Sequence, residues 1–250
     1  MISVAKSRVA VITGAGKGIG RSTALGLAAR GVRPVIVDID ANAAESVAAE
    51  ARQSGVESCA YTVDVSQVEP LRQMIDSVLH RFGRVDILVN NAGVLSKATI
   101  ADLSEDEWDR VMDVNVKSAA FLSQKVLGSM AKRHWGRIVN VASLAGRCGG
   151  QSAGCAYAAS KAAMLGLTMN TAKQVAKAGV TVNAVAPGPT DSELFRGFSS
   201  QDIERLEASI PVGFLGKPEQ IAAAIVFLCS HEASFVTGAV FDINGGMFMG

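Results

Sequence analysis

The chain has 250 residues, 49% of them hydrophobic and 19% charged, with a formal net charge of +1. That balance excludes an intrinsically disordered chain and gives no electrostatic pull toward nucleic acid or an anionic membrane surface. The longest stretches without Asp, Glu, Lys or Arg, such as Cys148–Ser160, fall short of the ~18 apolar residues that read as a membrane-spanning helix. Met1–Arg8 has no apolar h-region, so a signal peptide is not expected.

The first strand is expected at Arg8–Ile12 and runs into the glycine-rich segment Thr13–Gly20. Further strands are expected at Pro34–Asp38, Ser58–Val63, Asp86–Asn90, Arg137–Ala142, Val180–Ala184 and Ala239–Ile243. These near-continuous apolar runs suit strands buried on both faces. Helical patterns alternate with them. The clearest places Val68, Leu71, Ile75, Val78, Leu79 and Phe82 on one stripe, ended by Gly83. Others cover Trp108–Leu122 and the segment opened by Tyr157. Strand–helix alternation implies right-handed crossovers and a parallel sheet covered on both faces. The expectation is one α/β domain over residues 1–250, a doubly wound Rossmann-type fold with a seven-stranded parallel sheet. Gly188–Gly216 is the least regular stretch and is expected as a lid over the carboxyl ends of the strands.

Four cysteines (Cys59, Cys148, Cys155, Cys229) form no C-x-x-C pair and read as buried small hydrophobes in a reducing compartment, the cytoplasm. The histidines His80, His134 and His231 are isolated in sequence. No metal site is expected.

Thr13-Gly14-Ala15-Gly16-Lys17-Gly18-Ile19-Gly20 lies between the first strand and a helix. Glycines there permit a tight turn and close approach to a pyrophosphate, which the helix N-terminus receives with free N–H groups and a positive dipole end. Asp38, at the end of the second strand, stands at the spacing at which a carboxylate meets the adenosine ribose. A 2′-phosphate near it meets repulsion on the order of 4 kcal/mol at ~4 Å; Lys17 pulls the other way. NAD(H) is the preferred cofactor and NADP(H) the alternative. Asp38 as a plain helix cap is the simpler reading of the same residue.

Tyr157 and Lys161 lie four residues apart on a helix, hence on one face. A free phenol titrates near 10, roughly three units too high for proton exchange at neutral pH. A neighbouring ammonium favours the phenolate, so Lys161 is expected to lower it. Together with Thr13–Gly20, Asp64-Val65, Asn90-Asn91-Ala92-Gly93, Asn115, Ser143 and Pro187-Gly188, this pair resembles the short-chain dehydrogenase/reductase family over essentially the whole chain.

The resemblance implies hydride exchange between a nicotinamide and a ketone or secondary alcohol, with Tyr157 as acid/base. It implies that Ser143 orients the substrate oxygen, that Lys161 tunes Tyr157 and holds the nicotinamide ribose, and that Asn115 holds a water in a proton relay. Asn115 read alone is a polar group bonding nearby backbone. The resemblance further places Asp64 and Val65 at the adenine, Asn91, Ala92 and Gly93 along the cofactor cleft in a largely structural role, and Pro187, Gly188 and Thr190 at the nicotinamide end. Gly14, Lys17, Gly18, Ile19 and Gly20 complete the cofactor set.

Leu95, Leu144, Gln151 and Phe195 are candidate lining residues for the small-molecule substrate. Lys132, Arg133 and Arg137 resemble the basic patch with which 3-oxoacyl-(acyl-carrier-protein) reductases meet their carrier. Ala178 departs from that pattern, and Asp38 speaks against the NADPH such reductases usually take. Pro187–Asp191 instead resembles dehydrogenases of cyclic and small secondary alcohols. The expectation is therefore an NAD-dependent dehydrogenase of that class, with the acyl-carrier reductase as the alternative. A binding-only dinucleotide sensor is a further reading, opposed by the intact set Asn115, Ser143, Tyr157 and Lys161. The helix after Tyr157, apolar on several sides, is expected to be buried in a core or an interface; with the terminal Met247–Gly250 it suggests assembly, and the resemblance implies a homotetramer built through these elements.

Overall fold

Val9–Thr13 (β1) is fully buried on both faces, because it runs through the middle of the sheet. The computed structural model describes residues 7–150, 153–191 and 199–250. After β1 come α1 (Gly18–Ala28), β2 (Arg33–Asp38), α2 (Ala41–Arg52), β3 (Cys59–Thr62), α3 (Val68–Phe82) and β4 (Ile87–Asn90). The second half holds α4 (Glu105–Met112), α5 (Ser118–Lys132), β5 (Gly136–Val141), α6 (Ala145–Cys148), α7 (Cys155–Val175), β6 (Val180–Pro187), α8 (Ser200–Ser209), α9 (Pro218–Leu228) and β7 (Val240–Ile243). The seven strands form one sheet in the order β3-β2-β1-β4-β5-β6-β7. Every pairing is parallel.

The side-chain period of a strand sends alternate residues to opposite faces. Ala10, Ile12 and Ile36 join Leu27, Val47, Ile225 and Val226 in a core beneath α1, α2 and α9. Val9, Val11, Val35 and Val37 join Leu71, Ile75, Leu122 and Val126 beneath α3 and α5. β7 and β3, at the two sheet edges, are only partly buried. Among the described residues no helix is long and apolar enough to cross a membrane.

Three expectations are corrected. The lid segment is not wholly irregular: α8 occupies Ser200–Ser209, capped by Ser199, whose hydroxyl accepts from Asp202 N at 3.2 Å. The helix through Asn115 is not continuous either. A π-turn over Asp113–Lys117 separates α4 from α5, a feature that recurs at functional sites. Cys59 and Cys229 are buried as expected, whereas Cys148 is exposed and Cys155 intermediate.

Candidate active site

The strand order reverses direction between β1 and β4, which opens a crevice at their carboxyl ends. The loop after β1 and the segment after β4 are tied together there. Asn91 Nδ2 donates to the carbonyls of Thr13 and Gly14, at 2.8 and 2.9 Å. The Thr13 hydroxyl accepts from the N–H groups of Asn91 and Ala92, at 3.1 and 3.0 Å. Asn91 thus fixes the glycine loop, and Thr13 shares that role by a hydroxyl that pattern reading passed over.

Gly20 leaves no room for a side chain: a Cβ would lie 2.4 Å from the Gly14 carbonyl oxygen. α1 begins without a side-chain cap, so its first N–H groups suit an anion. These features fit the pyrophosphate of a dinucleotide. Asp38 accepts from Gly16 N at 2.8 Å, which joins the end of β2 to the loop. The helix-cap reading of Asp38 fails, because Asp40 caps α2, accepting from the N–H groups of Asn42 and Ala43 at 3.0 Å each. Lys17 and Asp64 are exposed and Val65 is buried; Asp64 accepts from Ser66 N at 2.9 Å.

A cleft of about 370 Å³ lies beside this loop, lined by Ile19, Asn91, Gly93, Val94, Leu95 and the β5–α6 turn, with Ser143, Tyr157, Lys161 and Pro187–Thr190. It brings together Ser143, Tyr157, Lys161, Pro187, Gly188 and Thr190 from distant parts of the sequence. Leu95 lines it as expected, while Leu144 is not among the residues lining it, and its backbone N–H donates to Pro187 O at 2.9 Å. Gln151 and Phe195 lie outside the described residues. Thr190 is held by its hydroxyl bond to Gly188 O at 3.0 Å and by a bridge to Gly216.

Asn115 is 1% exposed and makes three bonds. Its Oδ1 accepts from Val94 N at 2.8 Å, and its Nδ2 donates to Val94 O at 3.1 Å and to Ser160 Oγ at 3.0 Å. It therefore staples the β4–α4 connection to α7, one residue before Lys161. A second polar chain does the same from within the sheet. Asn90 donates to Asn140 Oδ1 and Asn140 to Thr168 Oγ1, both at 2.8 Å. Asn140 and Thr168 were missed in the sequence because nothing local marks two polar residues, on a strand and a helix, as partners.

Lys161 is buried, and burial pushes its ammonium down to about 8. Its Nζ donates to Val141 O at 2.8 Å. Burial pushes the Tyr157 phenol up, and its hydrogen bond with Ser143 opposes that only in part. The expected lowering by Lys161 is therefore corrected: the ammonium is engaged by the sheet, 5.7 Å from the Tyr157 ring centroid. Tyr157 is placed as a phenol that holds its proton, with Ser143 beside it.

A family profile described as enoyl-(acyl carrier protein) reductase matches residues 14–248. The chain belongs to the short-chain dehydrogenase/reductase family. Its relatives include the 3-oxoacyl-(acyl-carrier-protein) reductase of Thermotoga maritima, 37% identical over 97% of this chain and 98% of that protein. The like-named protein of Staphylococcus epidermidis is 37% identical over 97% and 100%, and that of Synechocystis is 36% identical over 97% and 98%. As a member of the short-chain dehydrogenase/reductase family it is an oxidoreductase that acts on CH–OH groups with a nicotinamide cofactor. Among the described residues no group of three His, Cys, Asp or Glu side chains is placed to hold a metal.

The basic patch is corrected at two of its three residues. Lys132 is exposed. Arg137 is 2% exposed and donates to the carbonyls of Ser230 and Gly136. Arg133 donates to Val85 O at 2.6 Å. Both guanidiniums are committed to the amino-terminal edge of the sheet.

Proposed function

We propose that this chain interconverts a 3-oxoacyl thioester and its 3-hydroxyacyl form. The single observation that carries the reading is the match, at 36–37% identity over 97% of the chain, to reductases of that name. A cleft holding Ser143, Tyr157 and Lys161 supports it. The bound nicotinamide supplies the hydride. Tyr157 gives its proton to the oxygen as negative charge develops there, and Ser143 Oγ stabilises and orients that oxygen. Lys161, with Asn115 and Ser160 beside it, holds the proton path to Tyr157. Residues 188–216 act as the substrate lid, and acyl carrier protein is the partner. The cytoplasm is the site of action, in a homotetramer. Light scattering that gives a monomer at micromolar concentration would remove the assembly.

A second reading is favoured by one observation. Asp38, at the end of β2, is held against Gly16 of the glycine loop at 2.8 Å, and its charge would repel a 2′-phosphate bound beside it, which supports NAD(H) over NADP(H). On that reading the chain is an NAD-dependent dehydrogenase of a small or cyclic secondary alcohol. A paired screen by cofactor absorbance decides: acetoacetyl-CoA with NADH or NADPH, and secondary alcohols with NAD⁺ or NADP⁺. Tyr157→Phe should lose roughly 10²–10⁴-fold in either arm. Turnover of alcohols alone would overturn the first reading.

A further inference from the structure

α6 is four residues long, far too short to hold itself as a helix. Its position comes from ties to its surroundings, and it follows Ser143 at once. Ser143 Oγ accepts from Ala145 N at 3.1 Å. Gly146 presses on α7 so closely that a Cβ would sit 2.6 Å from the carbonyl carbon of Lys161. The last tie is long-range. Arg147 Nη2 lies 3.2 Å from Asp242 Oδ2, with the two side chains 23% and 15% exposed. The Arg147 guanidinium also covers the Phe248 ring, 4.5 Å from its centroid. Asp242 pairs in register with Ala186, and the next pair is Pro187 with Ile243. Pro187 lines the cleft.

We propose that Arg147 is a positioning residue for the reaction: through Asp242 and Phe248 it holds α6, and with it the Ser143 hydroxyl, against the cleft that Tyr157 and Lys161 face. The charge pair is shielded enough that removing Arg147 leaves Asp242 half-buried and uncompensated. A misplacement of ~1 Å at a group that orients substrate costs on the order of 10²-fold in rate. Arg147 thus ties α6, which follows the cleft-lining Ser143, to β7 and to the C-terminal segment. The inference rests on the proposed role of Ser143, and its test therefore includes a readout that needs no turnover.

The full-length chain is compared with Arg147→Met, with the near-isosteric Asp242→Asn, and with the exchanged pair Arg147→Asp/Asp242→Arg. Amide hydrogen exchange is followed in the peptide spanning 143–150 and in the β1–α1 loop. kcat and cofactor KM are measured in whichever arm of the paired screen the wild type turns over. The expected result is exchange faster by about tenfold or more in 143–150 and unchanged in the β1–α1 loop, kcat lower by about tenfold, and cofactor KM within twofold. The exchanged pair should recover part of both losses. Unchanged exchange in 143–150 would overturn the proposal, as would exchange that rises equally throughout the chain. Local loosening in a protein that turns over neither substrate class would uphold Arg147 as the anchor of α6 and count against the substrate reading.

Discussion

Lys161 Nζ donates to the backbone carbonyl of Val141 across 2.8 Å, so the sheet itself holds the ammonium that accompanies Tyr157. Burial lowers that ammonium from 10.5 to about 8. The folded value lies below the unfolded one, so the group opposes folding in full at neutral pH, and that cost is relieved as pH rises from about 8 to 10.5. The interval corresponds to about 3 kcal/mol. Lys161→Met leaves the Val141 carbonyl unpaired at about 1–3 kcal/mol, so a net gain of up to about 2 kcal/mol is expected at pH 7. Tm of Lys161→Met should exceed that of the wild type at pH 7, with the difference shrinking by pH 10, while activity falls by roughly 10²-fold or more. A Tm that drops at every pH would show that the ammonium stabilises the fold.

Asp38 tests cofactor choice through its charge. Asp38→Asn keeps an acceptor for Gly16 N, gives up the exposed bond from Asp40 N, and removes the charge. The ratio of kcat/KM for NADP(H) over NAD(H) should rise by about tenfold or more, less than the bare Coulomb repulsion because solvent screens part of it. An unchanged ratio would place the 2′-position away from Asp38.

Asn115 carries three hydrogen bonds in a buried setting. Asn115→Ala strands Val94 N–H and Val94 C=O, at about 1–3 kcal/mol for each group left unpaired, and leaves the Ser160 hydroxyl only its bond to the Tyr157 carbonyl. Chemical denaturation should show a loss of at least 2 kcal/mol. Activity measured well below the new midpoint should fall more than tenfold, since Ser160 precedes Lys161. Full activity in a destabilised variant would reduce Asn115 to a staple.

His231 predicts an acid limit to stability. Arg8 Nη2 lies 2.8 Å from His231 Nε2, and a guanidinium only donates, so Nε2 accepts and the imidazole is neutral. Arg137 also faces it, the Trp135 ring is 5.9 Å away, and Glu232 opposes the two cations. Burial, then Arg8, then Arg137 hold its pKa below 6.5. A folded value below the unfolded one means that the contribution is complete above pH 6.5 and is lost as pH falls through the folded value. Tm should fall between pH 7 and 5 more steeply in the wild type than in His231→Gln, whose amide oxygen accepts from Arg8 without titrating. Parallel curves would rule this out.

Strand placement was legible in the sequence because strands covered on both faces must be apolar throughout. Arg33–Asp38 and Ile87–Asn90 lie within a residue or so of their expected bounds, and Gly83 ends α3 as its chemistry requires. The π-turn at Asn115 was not legible, since a wide turn has no residue signature of its own. The basic patch was misread because charge in a sequence carries no sign of burial: Arg137 is spent on the carbonyls of Ser230 and Gly136.

The sequence by itself determined the alternation that builds the sheet, the glycine loop, and the pairing of Tyr157 with Lys161, because these depend on periodicity and on contacts within a few residues. Only the tertiary structure decided which partner each polar group takes. It gave Lys161 to Val141, Asn115 to Val94 and Ser160, Asp38 to Gly16 and Arg147 to Asp242. Such partners lie on different strands and helices, and burial decides both who meets and how strongly each meeting shifts a proton.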